Sequence, residues 1–322
     1  MAKGRAESAR LAAERQVVTQ LCTSRSESVM DDESIKLSDG RSLGFQCLGD
    51  EDGSPLFFFH GTPGSRLVLS QHDLLAQVPG VRLIVPERPG YGTSDPQPGR
   101  VLLDWPNDVA ELADYLSLDT FAVAGASGGG PHALACAYRL VQRVTMALVF
   151  SSPAPATFRG ATRGMSSGNR LGLLLTRYAP WLVRRMMRHT VALFERDPEG
   201  FLAAMAKQMA PPDRELLQRE SFREAIIRDL RESFRQGSDG QAVDSALAMT
   251  NRDWGFDLQD ISVPVFLWHG EEDALVSIHM AKYLAREIPR CEARMVPGAG
   301  HLLTDYPVVV EEVRKVLLGG AV

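Results

Sequence analysis

Short apolar runs alternate with helix-like stretches along most of this chain, and this alternation constrains the fold more than any other feature. The runs "LFFFHG", "VRLIVPERPG", "FAVAGAS" and "VTMALVFSSP" each end in turn residues, as buried parallel strands do. Helical patterns such as "LDWPNDVAELADYLSL" and "PHALACAYRLV" lie between or after them. This alternation predicts an α/β fold, in which helices cover both faces of a mostly parallel sheet.

A hairpin precedes the alternation and a helical block interrupts it. "SIKLSDGRSLGFQCLG" has two period-two runs around Asp39-Gly40, which indicates a β-hairpin. Residues 71–78 are compatible with a helix. The stretch from Ala154 to Trp254 lacks a convincing strand, and the alternation resumes with "VPVFLWHG". We therefore expect an N-terminal extension over residues 1–34, an α/β core over 35–153 and 255–322, and a helical cap (lid) over 154–254.

Composition and charge exclude several classes of protein. Hydrophobic residues make up 44% of the chain and charged residues 23%, as in ordinary globular proteins. The formal net charge of -5 argues against nucleic-acid binding, which usually needs a basic surface. No apolar leader precedes the first strand, and no apolar window is long enough to span a membrane. The four scattered cysteines form no CxxC pair and indicate free thiols in a reducing compartment, so we expect a cytoplasmic protein.

A serine stands at a constricted corner between a predicted strand and a predicted helix. Gly125-Ala126-Ser127-Gly128-Gly129 fits the pattern G-x-S-x-G. A nucleophile on such a sharp turn needs small neighbours, because its backbone is strained and its side chain has to stand clear of the sheet. A glycine-rich phosphate loop is the alternative interpretation, but the chain has neither G-x-G-x-x-G nor G-x-x-x-x-G-K-[ST].

Two further residues follow predicted strands and complete a candidate triad. A serine needs a base to act as a nucleophile near neutral pH, and the base needs an orienting acid. His301 follows "EARMVPG" in a glycine-rich loop, and Asp273 lies three residues past the strand "VPVFLWHG". Both should therefore lie at the same carboxyl edge of the sheet as Ser127, where open α/β sheets build their sites.

The segment "HGTPGS" after the "LFFF" strand offers the donors of an oxyanion hole. Pro63 has no N–H, so Thr62 is the better donor in this loop, and Gly128 supplies the second N–H. A plain Gly/Pro turn is the alternative interpretation of this segment. The residues expected to shape the site are His60, Gly61, Gly64, Gly125 and Gly129.

The segments "HGTPGS", "ERPGYGTSD", "GASGGG", "HGEEDALV" and "GAGH", in this order and spacing, resemble the α/β-hydrolase superfamily. The resemblance covers about residues 35–155 and 255–320. It implies a mostly parallel, eight-stranded sheet with a helical cap inserted after the sixth strand. It also implies the roles of nucleophile, base, acid and oxyanion donors for Ser127, His301, Asp273, Thr62 and Gly128. Glu87 departs from the aspartate usual before "RPGYG", and we interpret that segment as a structural turn.

The identity of the residue at this sharp turn, called the nucleophile elbow, distinguishes among the reactions known for this fold. Similar epoxide hydrolases and haloalkane dehalogenases carry an aspartate there, whereas Ser127 with His301 and Asp273 indicates acyl transfer without a metal or organic cofactor. We expect a carboxylic-ester hydrolase that acts on a small or medium acyl substrate. A small-molecule ester or amide is then its only expected partner, and the sequence leaves open whether the chain forms a homodimer.

Other functions stay open. "HGTPG" is close to the "HGGPG" of proline iminopeptidases, which would need cap carboxylates to bind a free amino terminus, although the tryptophan usual after the serine is missing here. The candidate carboxylates are Glu195, Glu199, Asp239 and Asp244. A lyase, a ligand receptor, a carbon–carbon bond hydrolase or a perhydrolase could also use this triad. Apolar cap residues either line an acyl pocket or pack cap on core, and these are Met186, Met187, Phe201, Met205 and Met209.

Overall fold

A single eight-stranded sheet forms the centre of the molecule. The computed structural model describes residues 33–69, 73–158, 160–163, 167–249 and 254–319, so almost all of the predicted N-terminal extension lies outside it. The strands are β1 (Glu33–Lys36), β2 (Ser42–Gly49), β3 (Ser54–Phe59), β4 (Val81–Pro86), β5 (Phe121–Ala126), β6 (Val144–Phe150), β7 (Val265–Gly270) and β8 (Cys291–Val296).

The strand order across the sheet is β1-β2-β4-β3-β5-β6-β7-β8. The β1–β2 and β2–β4 pairs are antiparallel, and every other neighbouring pair is parallel. The expected mostly parallel sheet, with a hairpin at its start, is therefore confirmed. Because β3 to β8 run in the same direction, the loops that follow them meet at one edge of the sheet.

Ten α-helices are present among the described residues, and six of them lie between β6 and β7. The helices of the core are α1 (Trp105–Tyr115), α2 (Gly130–Arg139), α9 (Ile278–Glu287) and α10 (Pro307–Leu317). The inserted helices, together called the cap, are α3 (Ser167–Tyr178), α4 (Pro180–Arg196), α5 (Pro198–Ala206), α6 (Pro211–Leu216), α7 (Glu220–Ser233) and α8 (Asp239–Met249). A helical insertion after the sixth strand is thus confirmed.

The continuous apolar runs arise because both faces of the sheet are buried. In β3, Phe57 and Phe59 pack into one core cluster with side chains of α1, α2 and α9. Leu56 and Phe58 point to the opposite face and pack into a second cluster with side chains of α10. Alternate residues of a strand point to opposite faces, so a strand covered on both sides needs apolar residues throughout.

The helix considered for residues 71–78 is not formed in its described part. Residues 73–78 make successive hydrogen-bonded turns, including Gln77 N to Asp73 O at 3.1 Å. Leu75 and Val78 are nevertheless buried against the sheet. The first turn of a helix is costly to form and a short segment adds few hydrogen bonds to offset it, and these apolar side chains are buried by turns instead.

The cap has a small apolar core of its own. Phe194 on α4 packs edge-on against Phe201 and Phe234, with ring centroids 5.5 Å apart in both pairs. Phe201 and Met205 join this cluster, whereas 51% of Met186 is exposed. Phe201 and Met205 therefore pack among the cap helices and not between the cap and the core, as the packing interpretation expected.

Candidate active site

Ser127 occupies a strained turn directly after β5. Its φ angle is 50°, a left-handed conformation that non-glycine residues rarely adopt. The flanking glycines are sterically required, because a Cβ atom at Gly125 would lie 2.8 Å from the nitrogen of Gly130, and one at Gly129 would lie 2.7 Å from the oxygen of His60. The turn then runs directly into α2. This geometry is the physical reason for G-x-S-x-G and holds the hydroxyl at the carboxyl edge of the sheet.

His301 and Asp273 form a hydrogen-bonded pair at the same edge. The Nδ1–H of His301 donates to Oδ2 of Asp273 at 2.8 Å. The other oxygen of Asp273 accepts from the backbone N–H groups of Leu275 and Val276 at 2.8 and 2.9 Å, which fixes the carboxylate. Only 9% of the His301 side chain and none of Asp273 is exposed.

Electrostatics favour the charge states that a base and its orienting acid require. Burial of His301 opposes the imidazolium, but the charge of Asp273 and its hydrogen bond outweigh burial and raise the pKa of His301. Burial of Asp273 favours its neutral form, but the facing imidazole and its hydrogen bond hold the pKa of Asp273 below its usual range. The pair is therefore suited to accept a proton on the imidazole while the carboxylate stays ionised.

The loop after β3 passes beside the elbow. A Cβ atom at Gly61 would lie 3.7 Å from Cβ of Ser127, and one at Gly128 would lie 3.4 Å from the nitrogen of Thr62. The Thr62–Pro63 peptide bond is cis. The N–H groups of Thr62 and Gly128 thus belong to two backbone segments in close contact next to Ser127.

Arg88 supports the loop after β3 through hydrogen bonds. Its side chain is fully buried and donates to the carbonyl oxygens of His60 at 2.5 Å and Gly61 at 2.8 Å, and to Oγ1 of Thr62 at 3.1 Å. Its backbone N–H donates to Nε2 of His60 at 3.2 Å, so this imidazole accepts there and its Nδ1–H donates to the carbonyl of Gly61. Burial and the nearby Arg88 charge keep the pKa of His60 well below its ordinary value, so His60 is a neutral structural residue.

A buried carboxylate of the cap completes this support. Asp244 on α8 accepts from Nε of Arg88 at 2.6 Å and also pairs with Arg100. Oγ1 of Thr62 lies 3.5 Å from the same carboxylate. Burial opposes the ionisation of Asp244, but the two arginines overcome it and hold its pKa below the usual range. The cap therefore contributes the counter-charge for the arginine that supports the loop.

Helix α7 of the cap binds the next part of the same loop. Asp229 accepts from the backbone N–H of Ser65 at 2.8 Å and from its hydroxyl at 2.6 Å, and the N–H of Gly64 donates to the hydroxyl of Ser233 at 3.1 Å. Burial raises the pKa of Asp229 to about 7 despite these hydrogen bonds. Glu87, the departure noted above, is buried and accepts from the N–H and the hydroxyl of Thr93, which agrees with a structural turn.

A third cap carboxylate contacts the loop of His301. Asp213 on α6 is fully buried and accepts from the backbone N–H groups of His301 and Leu302. Sequence reasoning did not identify Arg88, Asp213 or Asp229, and it considered Asp244 only as a ligand for a substrate amine. Acidic residues on cap helices look like solvated positions in a sequence, and only Arg88 carried a signal, since it lies within the quoted "ERPGYG" segment.

The described residues give three further findings. No group of three or more His, Cys, Asp or Glu side chains among them could hold a metal ion. None of the helices in this part of the chain is long and apolar enough to cross a membrane. Cys136 and Cys291 are free thiols, and Cys22 lies outside the described residues.

Comparisons with known proteins agree on one fold. The family model for the alpha/beta hydrolase fold matches residues 54–306. Non-heme chloroperoxidase of Streptomyces lividans is 27% identical over 282 residues, covering 86% of this chain and 96% of that protein. AB hydrolase superfamily protein YisY of Bacillus subtilis (strain 168) is 26% identical over 277 residues, covering 83% and 91%. A solved thermophilic esterase from Thermogutta terrifontis superposes with a TM-score of 0.64 at 23% identity, covering 90% of this chain and 99% of that one.

Proposed function

We propose that this chain, which belongs to the alpha/beta hydrolase fold family, is a capped serine hydrolase that cleaves a small or medium carboxylic ester by acyl transfer. The carrying observation is that Ser127, strained at the carboxyl end of β5, shares its sheet edge with the hydrogen-bonded pair His301–Asp273. Relatives named hydrolase and esterase support the same reaction class.

In the proposed reaction, His301 removes the proton of the Ser127 hydroxyl as its oxygen attacks the ester carbonyl. The resulting oxyanion accepts hydrogen bonds from the N–H groups of Thr62 and Gly128. His301 then protonates the departing alcohol, leaving an acyl group on Ser127. A water molecule, deprotonated by His301, attacks the acyl-enzyme and releases the acid. Asp273 keeps the proton on Nδ1 of the imidazole and stabilises the imidazolium in both steps.

The proline-iminopeptidase alternative loses support from the cap. Asp244 already pairs with Arg88 and Arg100 in a buried site. Glu195, Glu199 and Asp239 are exposed, and Glu199 lies 3.4 Å from Arg223. We therefore favour an ester without a free amino terminus as the substrate.

A relative from Acinetobacter calcoaceticus that is named a bifunctional esterase/perhydrolase favours a second candidate reaction on the same site. Hydrogen peroxide would then replace water as the attacker of the acyl-enzyme and release a peracid and free Ser127. Peracid formation from a short carboxylic ester and hydrogen peroxide, measured by oxidation of bromide, distinguishes this perhydrolysis from hydrolysis alone. The free thiols Cys136 and Cys291 support a cytoplasmic location for either activity.

The experiment is a p-nitrophenyl ester series from acetate to palmitate with the wild type, Ser127→Ala and Ser117→Ala. Ser117 is a matched control because it is an exposed serine that also has a positive φ, of 58°. We expect Ser127→Ala to lose about a thousandfold or more of the activity, and Ser117→Ala to lose none. The best chain length then sizes the acyl site. Equal ester hydrolysis by the wild type and Ser127→Ala would contradict the proposed nucleophile.

A further inference from the structure

We propose that Asp213 of the cap is a positioning residue for the catalytic base, holding the loop that carries His301 in the orientation that proton transfer from Ser127 needs. The inference rests on the proposed function, because it takes His301 as the base. Asp213 lies in the first turn of α6 and is 88 residues before His301 in the chain. A residue of the cap then helps to position the proposed triad.

The contact is bidentate and buried. Oδ2 of Asp213 accepts from the backbone N–H of His301 at 2.8 Å, and Oδ1 accepts from the backbone N–H of Leu302 at 3.0 Å. The exposed fraction of Asp213 is 0%. The two N–H groups belong to the peptide units on either side of the His301 Cα atom, so the two hydrogen bonds fix the backbone that carries the His301 side chain.

The neighbouring backbone is shaped to admit this carboxylate. A Cβ atom at Gly300 would overlap the carboxylate of Asp213, so a larger residue there would push the acid away. On the opposite side, a Cβ atom at Gly270 would lie 2.7 Å from the carbonyl carbon of Ala299. The N–H of Gly300 donates to the hydroxyl of Tyr306 at 3.2 Å. The loop is thus held between the end of β7 and the cap, and Asp213 supplies the contact from the cap.

The charge of Asp213 acts on His301 in the same direction as Asp273. The groups facing His301 are Asp273 from the loop after β7, His269 from β7 itself, and Asp213 from α6. Burial lowers the pKa of His301, whereas Asp273 most strongly and Asp213 more weakly raise it. Removing the charge of Asp213 should therefore lower the pKa of His301 and shift the acid limb of its reactivity to lower pH.

The test measures how fast a fluorophosphonate labels Ser127 from about pH 5 to about pH 9, in the range where a histidine titrates. Asp213→Asn keeps the shape but can accept only one of the two N–H groups and carries no charge. We expect labelling about tenfold to a hundredfold slower, with the midpoint of the acid limb at lower pH than in the wild type. Glu215→Gln, which removes the same charge from an exposed position on α6, is expected to match the wild type.

A second variant approaches the same contact from the other side, in case Asp213→Asn does not fold. Gly300→Ala retains the carboxylate but displaces it, and we expect slower labelling. This loss should disappear when Gly300→Ala is added to Asp213→Ala, because the overlapping carboxylate is then absent. A folded Gly300→Ala variant that is labelled at the wild-type rate would contradict the proposal, as would an equal loss from Gly300→Ala in both backgrounds.

The outcomes separate this inference from the proposed function. A wild type that is not labelled at Ser127 would overturn the acyl-transfer mechanism itself. A wild type that is labelled, together with a folded Asp213→Asn variant of the same rate and the same pH midpoint, would overturn only the role of Asp213. A lower rate with an unchanged pH midpoint in Asp213→Asn would contradict the electrostatic part of that role.

Discussion

Replacing Asp244 with asparagine tests how much of the candidate active site depends on one buried charge in the cap. The Asp244 carboxylate pairs with Arg88 and Arg100, and at most 3% of any of these three side chains is exposed. Asp244→Asn would leave two guanidinium groups buried without an opposing charge. Arg88 would also lose its anchor while it still supports the carbonyl groups of His60 and Gly61.

The magnitude follows from this burial. Removing one partner of a buried ion pair costs about 3–5 kcal/mol of folding stability. With an unfolding entropy of about 2.1 cal/mol/K per residue, a chain of 322 residues should melt about 4–7 °C lower. The arginines outweigh burial and depress the pKa of Asp244 in the folded state. Its stabilisation is therefore complete above the unfolded value of about 3.9 and declines as the pH falls below it.

The assay compares thermal unfolding by circular dichroism for the wild type, Asp244→Asn and Asp239→Asn at pH about 7 and about 3.5. Asp239→Asn removes the same charge from an exposed position on the same helix, so we expect it to melt with the wild type. The deficit of Asp244→Asn should be smaller at the lower pH. An Asp244→Asn variant that melts within about 1 °C of the wild type at neutral pH would refute the reasoning, because the paired charges would then contribute far less than burial implies.

Two further substitutions probe the loop and its contact with the cap. Gly128→Ala would place a Cβ atom 2.8 Å from Cβ of Thr62, so we expect the kcat for ester hydrolysis to fall about tenfold to a hundredfold. Gly172→Ala is the control, because no atom lies within 4 Å of its new methyl group. Equal kcat values for the two variants would contradict the close contact between Gly128 and Thr62. Asp229 has a pKa raised to about 7, so its ionisation destabilises the folded state as the pH rises from the unfolded value of about 3.9. The melting temperature of Asp229→Asn minus that of the wild type should therefore increase from about pH 5 to about pH 8, and a constant difference would count against a buried, hard-to-ionise acid.

The sheet and the elbow could be predicted because their determinants are local. A strand covered on both faces has to be apolar at every position, and the segment "LFFF" of β3 has this pattern. The glycines around Ser127 are required by contacts with the next residues and with β3, so the motif and its steric cause coincide. The prediction of a helix for residues 71–78 was wrong over its described part, because the apolar side chains there are buried by a series of turns.

The contribution of the cap could not be predicted, because it depends on contacts between distant segments. Asp213 and Asp244 meet their partners across 88 and 182 residues, respectively, in the contacts with His301 and Thr62. On the cap helices, a carboxylate buried against the core and one in solvent have the same sequence signature. The roles of Ser127, Asp273 and His301 stay predictions that the experiments above test.

The three buried acids of the cap also limit how this enzyme could be diversified. Exchanging caps between relatives is an attractive way to change substrate range, because the residues of the proposed triad all lie outside the cap. Here a transplanted cap has to carry acids at the positions of Asp213, Asp229 and Asp244. Without them, Arg88 and Arg100 would be buried without a counter-charge, and the loops of Ser65 and His301 would lose their hydrogen-bond acceptors. The three carboxylates must therefore be transferred as a set, whereas exposed cap positions such as Trp181 and Met186 can be varied separately.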